Sequence, residues 1–136
     1  MKDTDAAWAA GFLDGEGTFA VTMDANGGVN IRVTATQVVE EPLTKLRELF
    51  GGNIYFIPAT RPNHRDTYRW QLSKTSDVEA FLDAVEPYLV VKPLHAVLQR
   101  KALRFAKANN TGITEDMLRE RIEVCEEVRR LNRVGL

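Results

Sequence analysis

The chain has 136 residues, of which 44% are hydrophobic and 27% charged, with a formal net charge of −1 and a single cysteine. Such a composition fits one globular domain spanning residues 1–136, long enough to bury a core without staples. It excludes a disordered tail, a disulfide-built scaffold, a membrane-spanning chain, since no apolar run nears ~20 residues, and a uniformly basic nucleic-acid binder.

The first predicted element is an apolar helix over about residues 5–15, which Thr4 or Asp5 can cap. It runs into Ala9-Ala10-Gly11-Phe12-Leu13-Asp14-Gly15-Glu16-Gly17. Trp8, Phe12 and Leu13 supply bulk at helical spacing. Gly11 and Gly15 lie four apart and leave one face nearly bare. A bare face costs about 1 kcal/mol per glycine against alanine and admits the close approach of another backbone. Asp14 and Glu16 fall at the negative end of the helix, where each carboxylate is disfavoured by about 0.3–1 kcal/mol. Either Gly15 or Gly17 is an ordinary helix cap, or the carboxylates serve a cation, with a divalent metal the first choice.

Residues 18–23 and 29–37 alternate apolar and polar around the turn cluster Asp24-Ala25-Asn26-Gly27-Gly28, which predicts a hairpin with one apolar and one polar face. A helix over residues 40–50 carries Leu43, Leu46, Leu49 and Phe50 and ends at Gly51-Gly52. A strand over 53–59, a basic loop over 60–66 and a strand over 67–73 make a second hairpin of the same design. Ser76-Asp77-Val78-Glu79 reads as a capping box for a helix that stops before Pro87. Another helix follows Pro93 with Leu94, Val97, Leu98, Ala102, Leu103 and Phe105 on its apolar face, and Asn109-Asn110-Thr111-Gly112 breaks it. Thr114 can cap a last helix built on Leu118, Ile122, Cys125, Val128 and Leu131, with Cys125 a half-buried thiol. This order predicts an α+β fold with an antiparallel four-stranded sheet backed by helices.

Charge is unevenly spread. Over residues 17–37 and 51–75, five bases (Arg32, Arg61, Arg65, Arg69 and Lys74) face two acids (Asp24 and Asp66), a surplus of three. Arg32 and Arg69 stand on polar strand faces, where a guanidinium can pair bidentately with guanine. Lys101, Arg104 and Lys107 read as a solvated helix face, and His64 and His95 lack neighbouring ligands for a metal site.

Residues 9–17 resemble the LAGLIDADG motif of homing endonucleases nearly position for position, with Glu16 for the second Asp. The element order resembles that family's αββαββα fold, whose sheet forms a saddle over DNA. With one motif and no internal repeat, the chain resembles the half-enzymes that act as homodimers through their motif helices. The resemblance implies a site-specific double-stranded DNA endonuclease that uses Mg²⁺, with Mn²⁺ or Ca²⁺ able to substitute for binding. It implies a long, nearly palindromic site and short 3′ overhangs. It makes Glu16 and the Gly15 carbonyl the metal ligands, with Gln37 orienting water and Lys92 near the scissile phosphate. For Gln37 a plain strand-end glutamine stays equally open, and for Lys92 a first-turn helix lysine is the weaker alternative.

DNA contacts are expected from Thr18, Thr22, Asn30, Arg32, Thr34, Arg69 and Gln71 on the strands and from Arg61, His64 and Arg65 in the loop. Trp8, Gly11, Phe12, Asp14 and Gly15 are expected at the dimer interface, with Asp14 structural. An RNA maturase, a non-cleaving DNA-binding protein and a plain structural homodimer are the rival readings. The polar, acidic segment Met1–Asp5 has neither signal nor transit character, and a lone cysteine fits a reducing compartment, bacterial, phage or organellar.

Overall fold

Alternating apolar residues on short strands need a cover on one side, and five helices provide it for three of the four, while the strand over residues 53–57 buries no side chain and leaves Phe56 exposed. The computed structural model describes residues 1–108 and 110–134. In chain order the elements are α1 (Asp3–Glu16), β1 (Gly17–Met23), β2 (Val29–Gln37), α2 (Glu41–Phe50), β3 (Asn53–Ile57), β4 (Thr67–Leu72), α3 (Thr75–Val85), α4 (Pro93–Lys107) and α5 (Glu115–Arg133), with a 3-10 turn at Glu86–Tyr88. The strands form one antiparallel sheet in the order β1-β2-β4-β3, so the two predicted hairpins join through β2 and β4. This is the expected α+β architecture.

Period-2 alternation decides which face is covered. Phe19, Val21, Ile31, Val33, Ala35, Trp70 and Leu72 point into the core with α1–α5 residues such as Leu13, Leu43, Phe81, Ala102 and Val128. Phe81 is the hub, with its ring 5.0 Å from Phe50, 5.8 Å from Phe19 and 6.2 Å from Trp70. The Trp70 indole N–H, fully buried, is satisfied by the Gly51 carbonyl at 2.9 Å. On β1 and β2 the opposite face carries Thr18 paired with Thr34, Ala20 with Arg32 and Thr22 with Asn30.

Two expected caps do not form. The first helix starts at Asp3 with Lys2 as its cap residue, which places Thr4 and Asp5 inside the first turn. The helix of the expected capping box starts at Thr75, two residues earlier than that box requires. Glu79 then reaches across to Lys107 on α4 instead of back to the helix start. Thr114 does cap α5, its hydroxyl accepting the Met117 N–H at 3.2 Å. The apolar face of α4 also differs from expectation. Leu94 and Val97 are exposed, while His95 and Gln99 are buried beside Ala96, Ala102 and Leu103. Gln99 is held there because its amide donates to the Ala20 and Arg32 carbonyls at 3.1 and 3.0 Å, tying α4 to β1 and β2. Cys125 is buried, not half-buried, and burial pushes its thiol pKa up. Of the predicted break after α4, Asn109 lies outside the described residues; α4 ends at Lys107 and Gly112 takes φ +76°.

Candidate active site and nucleic-acid interface

The end of α1 feeds directly into β1, and that junction dictates Gly17. A Cβ there would lie 2.8 Å from both the Leu13 carbonyl oxygen and its Cδ2 atom. Gly17 is thus the required residue of the helix stop. Gly11 and Gly15 are not explained in the same way, because a Cβ at either position meets nothing within 4 Å. The chain leaves that face of α1 open. Trp8 and Phe12 flank it as a stacked pair 5.5 Å apart, and the Lys45 ammonium lies 4.4 Å from the Trp8 ring centre.

The two acids of the motif have different surroundings. Asp14 is only 9% exposed. Its carboxylate accepts the N–H of Val90 at 2.8 Å and those of Val91 and Lys92 at 3.0 Å each. These donors lie at the N-terminus of α4, so the negative end of one helix meets the positive end of another. The carboxylate of Asp14 is therefore engaged within its own chain.

Glu16 is exposed, and its Oε2 accepts the Gln37 amide N–H at 3.0 Å. Pairing of Gly17 with Ala35 brings the end of β2 alongside the end of α1, which is why residues 21 apart meet. Lys92 is buried, with its ammonium donating to the Asp14 carbonyl at 2.7 Å. Burial lowers its pKa, while the negative charges of Asp14 and Glu16 act in the opposite direction. Lys92 is the cap residue before Pro93, not a first-turn helix residue. One helix end thus gathers an exposed carboxylate, a carboxamide and a desolvated cation.

Polar side chains line the adjacent open face of the sheet. Thr18, Thr22, Asn30, Arg32 and Arg69 are exposed and Thr34 and Gln71 half-buried, as their alternation predicts. Thr34 pairs with Gln71 and Thr36 with Arg69 across β2 and β4. Arg61, His64 and Arg65 occupy the exposed β3–β4 loop. Among the described residues, ion pairs engage Lys45, Arg100, Lys101, Lys107, Arg119 and Arg130, but none engages Arg32, Arg61, Arg65 or Arg69. Six bases of the helices are thus paired, while these four arginines of the sheet side, like Arg47, Arg104, Arg129 and Arg133 on the helices, are in no ion pair among the described residues. Thr36, Asn53 and Tyr55 share this open face, although sequence reasoning misses them; Tyr55 pairs with Arg69 and Asn53 with Gln71. The alternation Asn53, Tyr55, Ile57 is the signal that could have found two of them.

No group of three or more His, Cys, Asp or Glu side chains able to hold a metal occurs among the described residues. The oxygen-donor set on offer, a single exposed carboxylate with backbone carbonyls beside it, fits only a hard ion that keeps most of its shell as water or phosphate. Neither histidine is part of such a set: His64 is in the loop and the buried His95 ring stands edge-on to Phe19 at 6.3 Å.

Solved structures with this fold include the archaeal intron-encoded homing endonuclease I-Vdi141I complexed with DNA, with 21% identity, a TM-score of 0.77, and coverage of 96% of this chain and 86% of that one. The homing endonuclease I-CvuI, in complex with a DNA target in the presence of Mg, gives 19% identity and a TM-score of 0.73 over 95% and 83% of the two chains. The homing endonuclease I-TnaI gives 24% identity and a TM-score of 0.61 over 100% and 99%. No curated protein sequence matches the chain. The family model of the LAGLIDADG endonucleases matches residues 9–108, which includes the motif, both hairpins and the segment carrying Lys92, and the chain belongs to that family.

Proposed function

We propose that two copies of this chain form a site-specific endonuclease that hydrolyses both strands of a long, nearly palindromic DNA duplex with a divalent metal, leaving short 3′ overhangs. The observation that carries this is the meeting of Glu16 and Gln37 at 3.0 Å at the rim of a polar sheet face whose arginines form no ion pair among the described residues. An exposed carboxylate is disfavoured at the negative end of a helix, and its one hydrogen-bond donor is a neutral amide. Glu16, with the Gly15 carbonyl, would hold the ion. Bound there, a divalent cation supplies charge neutralisation at the phosphate and a more acidic water. Mg²⁺ suits a site with one acid per chain, and Mn²⁺ or Ca²⁺ would substitute for binding; I-CvuI has been crystallised on DNA with Mg and with Ca.

The chain's own groups divide the remaining work. Gln37 donates to the Glu16 carboxylate and would orient a water beside it. Lys92 adds positive potential against the charge that develops on the phosphate. Arg32, Arg69 and the polar residues between them read base edges, while Arg61, His64 and Arg65 reach the flanking backbone or bases. The second copy docks on the open Gly11/Gly15 face, with Trp8 and Phe12 at its border.

The test is incubation of a randomised duplex library with the protein and Mg²⁺, sequencing of the cut ends, and the Glu16→Gln variant in parallel. Recovery of one near-palindromic site that is cut by the parent and spared by the variant supports the proposal. Enrichment of a bound but uncut site by the parent would favour a DNA-binding protein without nuclease activity.

A further inference from the structure

Asp14 is the one buried acid among the described residues, and it makes four hydrogen bonds to a single short segment 76–78 residues away. We infer that Asp14 is a positioning residue that straps the segment Val90–Lys92 to the end of α1 and so fixes the Lys92 ammonium at the helix end that carries Glu16. The inference rests on the endonuclease reading above and assigns Asp14 a part in it.

The geometry is specific to that task. Lys92 is gripped twice by the same residue: its backbone N–H by the Asp14 carboxylate at 3.0 Å and its Nζ by the Asp14 carbonyl at 2.7 Å. Val90 and Val91, 83% and 47% exposed, are fastened through their N–H groups to the same carboxylate. A charged acceptor at this place makes stronger bonds than a neutral one, which offsets the cost of an acid in the last turn of a helix. Because Asp14 is two residues from Glu16 on a rigid helix, the carboxylate and the cation become parts of one body. Displacement of such a group by about 1 Å is enough to cost ~10²-fold in rate.

The test is a double-mutant cycle on the recovered DNA site, with single-turnover rates at saturating protein and Mg²⁺ and DNA affinities in Ca²⁺. Asp14→Asn keeps the shape but has one oxygen where the carboxylate has two. It should slow cleavage at least 10-fold with affinity within about 3-fold of the parent, and Lys92→Met should add less than 3-fold in that background. The strap can also be loosened from outside α1. Val90→Pro deletes one donor at an exposed residue, and Leu89, at φ −71° and ψ 134°, already has the backbone a following proline requires. This variant should lose a smaller part of the rate, again at unchanged affinity. The inference is overturned if the Asp14 and Lys92 effects multiply, or if Asp14→Asn loses rate only in proportion to its folded fraction while Val90→Pro cuts like the parent. A parent protein that binds its site without cutting it would instead bring down the endonuclease reading itself, and the inference with it.

Discussion

Gly11 separates what the chain needs from what its partner needs. An added Cβ at Gly11 meets nothing within 4 Å, so the chain itself gives no reason for glycine. Replacing an exposed mid-helix glycine with alanine should stabilise the fold by about 1 kcal/mol, and leucine is nearly as good a helix former. For a domain of this size that is roughly 2–4 °C in Tm, read on a dilute, monomeric sample. If the open face packs against the same face of a second copy, both protomers insert the new side chain into one crossing. Overpacking then costs about 1–3 kcal/mol, and about 3 kcal/mol is a 100-fold weaker dimer. Gly11→Leu should therefore raise the Tm of the dilute chain while raising the dimer Kd about 100-fold in sedimentation velocity. An unchanged dimer Kd would refute the helix-packing account. A lower Tm of the dilute chain would refute the claim that the face is open.

Other expectations follow from individual side chains. Arg69→Ala, at an exposed position between Thr36 and Tyr55 on the open face, should cost about 1–3 kcal/mol of discrimination at one base pair per half-site, seen as relaxed preference in binding selections. Replacing Arg61 and Arg65 should instead lower affinity for all sequences and flatten the dependence of log Kd on log salt by about one unit for each phosphate no longer neutralised. Arg121 is buried and donates to the Gly27 carbonyl at 2.6 Å and the Asn110 side chain at 3.0 Å, pinning the β1–β2 turn to α5. Arg121→Ala should destabilise the fold by about 2–4 kcal/mol in denaturant titration. Since burial raises the Cys125 pKa and hides its sulfur, iodoacetamide should label it far more slowly in the native protein than in guanidinium, at any pH where the native state persists.

Most elements up to Thr75 are legible because their period-2 and period-3.6 patterns are clear and glycines mark the α1–β1, β1–β2 and α2–β3 turns. Gln37 is legible only as a strand end; its meeting with Glu16 depends on the pairing of Gly17 with Ala35, a register that side-chain pattern leaves open. The core of α4 defeats a reading that turns apolar residues inward, because Gln99 holds its buried place through two backbone carbonyls and leaves Leu94 and Val97 outside. The capping box has the right residues, but Glu79 finds a stronger, charged partner in Lys107. Asp14 is legible as an anomaly, an acid at the wrong end of a helix. Its solution, three N–H groups in a loop without periodicity, cannot be read locally.

The central claim, that each copy contributes one Glu16 to the cutting of one strand, is tested most directly in a single-chain tandem of two copies with Glu16→Gln in only one half. On the recovered site this protein should nick one strand, the strand being set by which half carries the substitution, while the doubly substituted tandem binds and leaves the duplex intact. Linearisation of the duplex by the singly substituted tandem, at the rate of the parent, would contradict the account.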